Sequence, residues 1–363
     1  LAERLVRKQE MIDAALLALS MFFIIGTVLP FIRNDAWVIR IFDFPRAQIA
    51  LGGLITAGLV YARGDTDSDI TGATLALLLG CVSYQGYRMY PYTWLAPRQV
   101  RTSVGPNPAA CISLLLANVL QENRNAAGLL ALVQAYDPDL VLAVETDHWW
   151  AARLRALADR YPYIVRVPLE NCYGMLLASR LKLVRPEVKF LVEPDVPSIH
   201  TAVALPSGTL VRLYCLHPRP PHPPTGQDTT ERDAELLVVG REVAQLDQPA
   251  IVAGDLNDVA WSHTTTLFQK ISRMLDPRVG RGMYNTFSAK IPLMRWPLDH
   301  VFHSRQFGLV TLKRLPAFGS DHFPVYVKLC HDPGAAARQD APRATPGDQA
   351  EATEKIAKAG QSG

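Results

Sequence analysis

Apolar positions are spread unevenly along the chain. Three runs within residues 1–90 contain no Asp, Glu, Lys or Arg: "AALLALSMFFIIGTVLPFI" (14–32), "AQIALGGLITAGLVYA" (47–62) and "ITGATLALLLGCVSYQGY" (70–87). A bilayer core ~30 Å thick needs roughly 20 apolar residues in a helix, so the first and third runs have the length and the second is marginal. Trp37, Tyr90, Tyr92 and Trp94 flank them at positions suited to the membrane–water interface. The pattern predicts a three-helix transmembrane region over residues 1–90, with spans near 14–32, 47–62 and 70–87. Two further runs after the first argue against a cleaved signal peptide.

Beyond these runs the texture changes. "PYTWLAPRQVRTSVGPNPAA" (91–110) is rich in Pro, Ser and basic residues and reads as a linker. From Cys111, strand-length apolar runs alternate with helical stretches. The strand candidates are "CISLLLANV", "LVLAVET", "YIVRVPL", "GMLLAS", "LVRLYCLH", "AIVAGDLN", "DHVFHS", "LVTLKRL" and "PVYVKLC"; the helix candidates are 126–136, 148–160 and 231–246. This alternation predicts an α/β domain over 111–330. Residues 331–363 are mostly Ala, Pro, Gly and charge, a composition that buries too little surface to offset ordering entropy, so a disordered tail is expected.

Composition adds constraints. Apolar residues make up 49% of the 363-residue chain, more than a soluble domain of this kind needs, and the excess sits in the first ninety residues. Between 111 and 330, 23 Lys and Arg face 21 Asp and Glu, a net of +2 that offers little long-range attraction to nucleic acid. Cys81, Cys111, Cys172, Cys215 and Cys330 lack metal-ligand spacing and are expected to be buried free thiols.

Several strand candidates end on a polar residue: "LLLANVL" on Asn118, "LVLAVETD" on Glu145, "LYCLHPRPP" on His217, and "AIVAGDLND" on Asp255 and Asn257. "PLDHVF" supplies Asp299, and "GSDHFPV" supplies Asp321 and His322. Ligand sites of α/β folds collect at strand ends, and carboxylate oxygens suit a hard cation that also meets a substrate phosphate. Each residue also has a plain structural reading. Asn118 could cap a turn, Glu145 and Asp147 could be the acidic first turn of the next helix, and His217 could be a loop histidine.

Taken in order, Asn118, Glu145, Tyr173-Gly174, His217, "GDLN", "LDH" and "SDHFPV" resemble the endonuclease/exonuclease/phosphatase superfamily over about 111–329. With the apolar runs in front, the chain looks most like its membrane-anchored bacterial members. The resemblance implies a four-layer α/β sandwich of DNase I-like type and Mg²⁺-dependent hydrolysis of phosphate esters, with Mn²⁺ as the alternative ion. It places Asn118, Glu145 and Asp321 at the metal. Asp255 would orient or deprotonate the attacking water, Asn257 and His217 would donate to the phosphoryl group or leaving oxygen, and Asp299 would hold His322 in one tautomer. The departures are Val144 where the family has Gln, no acidic residue after Tyr173, and Thr286-Phe287 in place of Thr-Trp. They weaken a nuclease assignment more than hydrolysis itself.

The substrate stays open between a lipid head-group, a small phosphate ester and a nucleic acid, with a catalytically silent scaffold as the rival from another class. The expected location is a bacterial cell membrane, multi-pass. Arg4, Arg7 and Lys8 before the first run favour an extracytoplasmic domain, although Arg33, Arg40, Arg46, Arg88, Arg98 and Arg101 on the other side pull against it.

Overall fold

A computed structural model describes residues 2–63, 69–221 and 227–361. Every predicted strand is present: β1 (Cys111–Asn118), β2 (Leu140–Val144), β3 (Tyr163–Val167) and β4 (Met175–Ser179), then, after two unpredicted strands, β7 (Leu210–Leu216), β8 (Ala250–Asp255), β9 (Asp299–His303), β10 (Phe307–Arg314) and β11 (Val325–His331). The additional strands are β5 (Lys182–Lys189) and β6 (Ser198–Ala204). β5 escaped the apolar pattern because it is a mostly exposed edge strand, whose register slips between Val184 and Glu187, where Pro186 is tolerated.

The strands form two sheets, ordered β10-β11-β1-β2-β4-β3 and β5-β6-β7-β8-β9. Period-two alternation divides each central strand between two cores. Leu114, Leu116, Leu142 and Leu177 of the first sheet meet Ile199, Leu213, Ile251 and Val301 of the second. The opposite face of the first sheet, through Leu115 and Val141, packs on α5 (Ala126–Tyr136) and α6 (His148–Arg153). The opposite face of the second, through Tyr214 and Val252, packs on α7 (Thr230–Ala244) and α8 (His263–Ser272). Helix, sheet, sheet, helix is the expected four-layer order. β1 runs parallel to β2, and β7 to β8, so Asn118 ends beside Val144 and Leu216 beside Gly254.

The N-terminal region contains α1 (Ala2–Val28), α2 (Trp37–Arg40), α3 (Arg46–Ala62) and α4 (Asp69–Met89). One helical segment among the described residues, Glu3–Phe31, is long and apolar enough to cross a membrane, which corrects the three-span, multi-pass expectation. α3 has 17 residues. α4 has the length, but it carries Gln85, which is buried and hydrogen-bonded to Arg46 and Thr27.

Two other expectations change. Cys111 and Cys330 lie opposite each other across β1 and β11 and form a disulfide, while Cys81, Cys172 and Cys215 are free. The tail expected to be disordered contains α9 (Pro346–Ala359), whose first turn is closed by a reciprocal Thr345–Asp348 capping box. Its Ala352 is buried against Leu237 of α7 and Leu267 and Ile271 of α8. Lys355 bonds both Asp35 of the N-terminal region and Asp233 of α7. A sparse apolar stripe and four ion-pairing side chains, Asp348, Glu351, Lys355 and Lys358, seat a helix where the composition predicts disorder.

Candidate active site

Asn118, at the end of β1, is buried and uses its amide NH₂ twice, donating to Glu145 Oε1 at 2.6 Å and to Asp255 Oδ2 at 2.9 Å. Its Oδ1 accepts from Leu120 N at 2.9 Å. One side chain therefore ties the first sheet to the second at the point where the strand ends converge.

Glu145 follows β2 in a left-handed conformation with φ 63°. Such a conformation is costly for a residue with a Cβ and persists only where the surroundings impose it. Here Thr146 N donates to Gly174 O at 3.0 Å, and a Cβ at Gly174 would come within 1.9 Å of Thr146 O, so only glycine fits that crossing. Asp147 is the N-cap of α6, accepting from Trp150 N. Glu145 itself turns away from that helix and accepts from Gln121 N at 3.3 Å. Burial raises its pKa and the neighbouring Asp255 adds to the rise, against the pull of His217 and the Asn118 hydrogen bond.

Asp255 closes β8. Its Oδ1 accepts from Asn257 N at 3.0 Å, which fixes the "GDLN" turn, and its backbone oxygen accepts from His217 Nδ1 at 3.1 Å. His217 Nε2 is left 3.9 Å from Glu145 Oε1. Asn257, at φ 51°, donates its amide to Pro218 O at 3.0 Å, and its own carbonyl accepts from Arg232 Nη1 at 2.8 Å.

Asp299 opens β9 opposite Asp255, and its Oδ2 lies 2.7 Å from His322 Nδ1. His322 Nε2 points at Asp255 Oδ2, 3.5 Å away. Burial alone would discharge this ring, but Asp299 and Asp255 outweigh it and lift the pKa to about 10. At neutral pH the ring is therefore an imidazolium, with one N–H held by Asp299 and the other available. Phe287 packs on it at 5.0 Å between ring centres.

The structure thus brings together Asn118, Glu145, His217, Asp255, Asn257, Asp299 and His322. Asp321 stands apart: its carboxylate makes no hydrogen bond to Asn118 or Glu145 among the described residues, and its backbone oxygen accepts from Ala289 N at 2.6 Å. Tyr173 lies at the rim, 5.8 Å from the His217 ring, with the Arg219 guanidinium 4.6 Å above it.

Two groupings could hold a cation. Ligand atoms of Asp255, Asp299 and His322 lie within 4.8 Å of one another, but a charged His322 locked to Asp299 opposes a metal there. Glu145 fits better. It is a carboxylate whose charge burial disfavours, and no Lys or Arg pairs with it among the described residues, so its oxygens suit Mg²⁺ or Mn²⁺; Asn118 beside it faces Glu145 with its NH₂, and its Oδ1 is taken by Leu120 N.

Residues that the strand-end pattern could not flag complete the site. Gln121 binds Glu145 through its N–H and Cys172 N through its side chain, Arg232 holds Asn257, and Thr286 accepts from Asp299 N at 3.2 Å. Arg219, two residues after His217, is fixed by Glu193 and Asp195. Val144, standing for the family's Gln, is fully buried in the inter-sheet core.

The sequence pattern of the Endonuclease/Exonuclease/phosphatase family matches residues 115–322. No curated protein matches the chain. Among solved structures, the human Nocturnin catalytic domain with bound sulfate superposes with a TM-score of 0.52 at 17% identity, covering 62% of this chain and 96% of that one. D. rerio TDP2 complexed with a single-strand DNA product gives 0.50 at 18% identity, with 61% and 99% covered. An endonuclease/exonuclease/phosphatase from Beutenbergia cavernae gives 0.50 at 19%, with 61% and 72% covered. Likeness at these identities concerns the fold.

Proposed function

We propose that this chain, which belongs to the Endonuclease/Exonuclease/phosphatase family, is a metal-dependent phosphoesterase carried on a membrane-associated helical region. The observation that carries the reading is the hydrogen-bonded convergence of Asn118, Glu145, Asp255, Asp299 and His322 at the sheet ends. A scaffold that had lost catalysis would have no need of a buried, charged histidine between two carboxylates.

Glu145, with Asn118 beside it, would hold Mg²⁺ or Mn²⁺, which polarises a phosphoryl oxygen and offsets developing charge when bound. The chain's own groups do the rest. Asp255, with one oxygen fixed by Asn257 N and the other by Asn118, is oriented to accept a proton from an attacking water. His322 donates from Nε2 to a phosphoryl or leaving oxygen, because its raised pKa makes it an acid at neutral pH rather than a base. His217, with Nδ1 committed to the Asp255 carbonyl, turns Nε2 into the same space. Asp321 contributes its negative charge to His322 and, on the family's pattern, serves the metal side.

The nuclease alternative has only a short cationic patch to rest on, Arg295 and Arg314 beside Phe323. Of the arginines that could make a DNA-facing patch, Arg278 is buried against Asp276, and Arg281 is half-buried and bonded to backbone oxygens. The Cys111–Cys330 disulfide supports an extracytoplasmic domain, since such bonds persist in oxidising compartments.

The test is hydrolysis of a soluble phosphodiester such as bis(p-nitrophenyl) phosphate with Mg²⁺, after EDTA dialysis, and by Glu145→Gln. Activity should vanish on chelation, return with Mg²⁺, and fall in the variant by about 10² or more while its thermal midpoint stays close to the parent's. Unchanged turnover in EDTA-dialysed protein would sink the proposal.

A further inference from the structure

Residues 286–298 form a loop closed at its neck by pairing of Phe287 with Trp296. At its tip Ile291, Leu293 and Met294 are 50%, 82% and 47% exposed, three of the few large apolar side chains left exposed in the α/β domain. The loop touches the active site at one end, where Phe287 packs on His322 and Ala289 N donates to Asp321 O. It touches the helical region at the other. Gln48 of α3 donates to Leu293 O at 2.7 Å, and Phe44, just before α3, meets Trp296 edge to face at 5.8 Å.

A file of rings, Phe44, Trp296, Phe287 and His322, therefore connects the helical region to the reacting histidine. The exposed tip adjoins that region at Gln48, and Ile41 and Tyr90 of the region, with Trp94 and Leu95 just after it, are also exposed. Charge follows the same line. Arg295 and Arg314 stack on Phe323, next to His322, at 5.1 Å and 4.4 Å, and neither they nor Lys290 form an ion pair among the described residues. An exposed apolar tip backed by unpaired cations, adjoining helices that expose apolar faces, fits the boundary between acyl chains and anionic head-groups.

We infer that the 286–298 loop is an interfacial lip, dipping into a lipid surface and presenting a membrane-borne phosphate ester to the site, with Arg295 and Arg314 meeting its anionic head-group. This rests on the phosphoesterase reading for its chemistry but not for its geometry. An open, exposed tip costs apolar hydration in water and gains burial in lipid, about 25 cal/mol per Å² of apolar surface covered. A soluble ester needs no such tip.

The experiment uses the full chain reconstituted in vesicles of phosphatidylcholine and phosphatidylglycerol, with two arms. In the first, bimane attached to Leu293→Cys is challenged with doxyl-labelled lipid, with Cys81 and Cys172 replaced by Ser and the buried Cys215 by Ala so that the label is unique. Clear quenching is expected, and quenching no greater than in lipid-free detergent-exchanged protein would overturn the lip. In the second, Leu293→Asp and Met294→Asp together are assayed on a head-group-labelled phospholipid in the same bilayer and on bis(p-nitrophenyl) phosphate. Lipid turnover should fall about tenfold, the scale of a 1.4 kcal/mol loss, with soluble turnover within about twofold. Equal losses on both substrates, or none on lipid, would overturn it. If the parent protein hydrolyses neither, the phosphoesterase reading fails, and the quenching arm alone decides whether the loop enters lipid.

Discussion

The helical region and the α/β domain are built from the same chemistry turned opposite ways. In the domain, Leu115, Leu142, Leu213 and Phe302 are fully buried, and polar groups gather where strands end. In the helical region Met21, Phe22, Leu51, Leu54, Ile55 and Leu77 are about half exposed, whereas the interior holds Arg46, Asp43, Gln85 and Thr27 in one hydrogen-bonded chain. Water suits the first arrangement, and the second is the one that a lipid-facing bundle would show, because unsatisfied polar groups are costliest where no water can reach them. The contrast bears on the proposed membrane setting of the helical region more directly than the length of any one helix. It also explains why the domain's candidate site is legible and the number of spans is not.

The sharpest way to break the comparison is to separate the regions. A chain of residues 97–361 should stay soluble and monomeric without detergent, while the full chain should pellet or require detergent, as read by ultracentrifugation and size exclusion. If the shortened chain aggregates and the full chain stays soluble without detergent, the helices are a cover for the domain rather than a lipid-facing body.

Within the domain the strongest claim concerns Asp299 and His322. With Oδ2 bonded to Nδ1 at 2.7 Å, removing either partner disables the other. Asp299→Asn and His322→Ala should each lower turnover of the soluble ester by about 10² or more, and the double variant should be little worse than the poorer single one. Multiplicative losses would mean independent action.

Where the two regions meet, Lys355 is one of the joints. It bonds Asp35 on one side and Asp233 on the other, and Asp233 in turn holds Arg232, whose guanidinium fixes the Asn257 carbonyl. Lys355→Met removes one cation shared by two carboxylates, of which Asp35 keeps Lys358 and Asp233 keeps Arg232, so a loss of about 2 kcal/mol in unfolding free energy, the scale of a charged hydrogen bond, is expected from chemical denaturation. Turnover per folded molecule should fall by a smaller factor, through a loosened Asn257.

The candidate site could be read from the chain because Asn, Glu, His or Asp at or just beyond the end of a buried strand is chemically conspicuous, as at Asn118, Glu145, His217 and Asp255, and the structure brings these four together with Asn257, Asp299 and His322. Asp321 was placed by the family's pattern, and no contact to Glu145 supports that placement. β5 and α9 were missed for one reason: neither buries a wide apolar stripe. β5 is an edge strand, and α9 docks through Ala352 and ion pairs. The disulfide depends on Cys111 and Cys330 being opposite each other across 219 residues, a register that spacing along the chain cannot reveal. Supporting residues such as Arg232 and Gln121 act through backbone groups of distant loops, so they leave no local signature.

The last predicted effect is in acid. All 9 histidines lie beyond the helical region. His200, on β6, is buried and its pKa is pushed down to about 3 by burial, then by the charges of Lys189 and Arg212. His303, on β9, is pushed down to about 4 by burial. Unfolding returns each ring to its ordinary value near ~6.5, so below that pH the unfolded chain takes up protons that the folded domain refuses. Their contribution is complete above pH 6.5 and is lost as pH falls towards 4, by about 2 kcal/mol per ring at pH 5. His322 has the opposite sign: with its pKa raised to about 10, its contribution survives acid and is lost only as pH climbs through that value. Acid should therefore melt the α/β domain first and leave the histidine-free helices intact. Calorimetry from pH 7 to 5 should show the domain's transition moving down, and His200→Gln should flatten that slope. If the transition keeps its place at pH 5, these imidazoles are not held neutral, and the two regions would share one acid response.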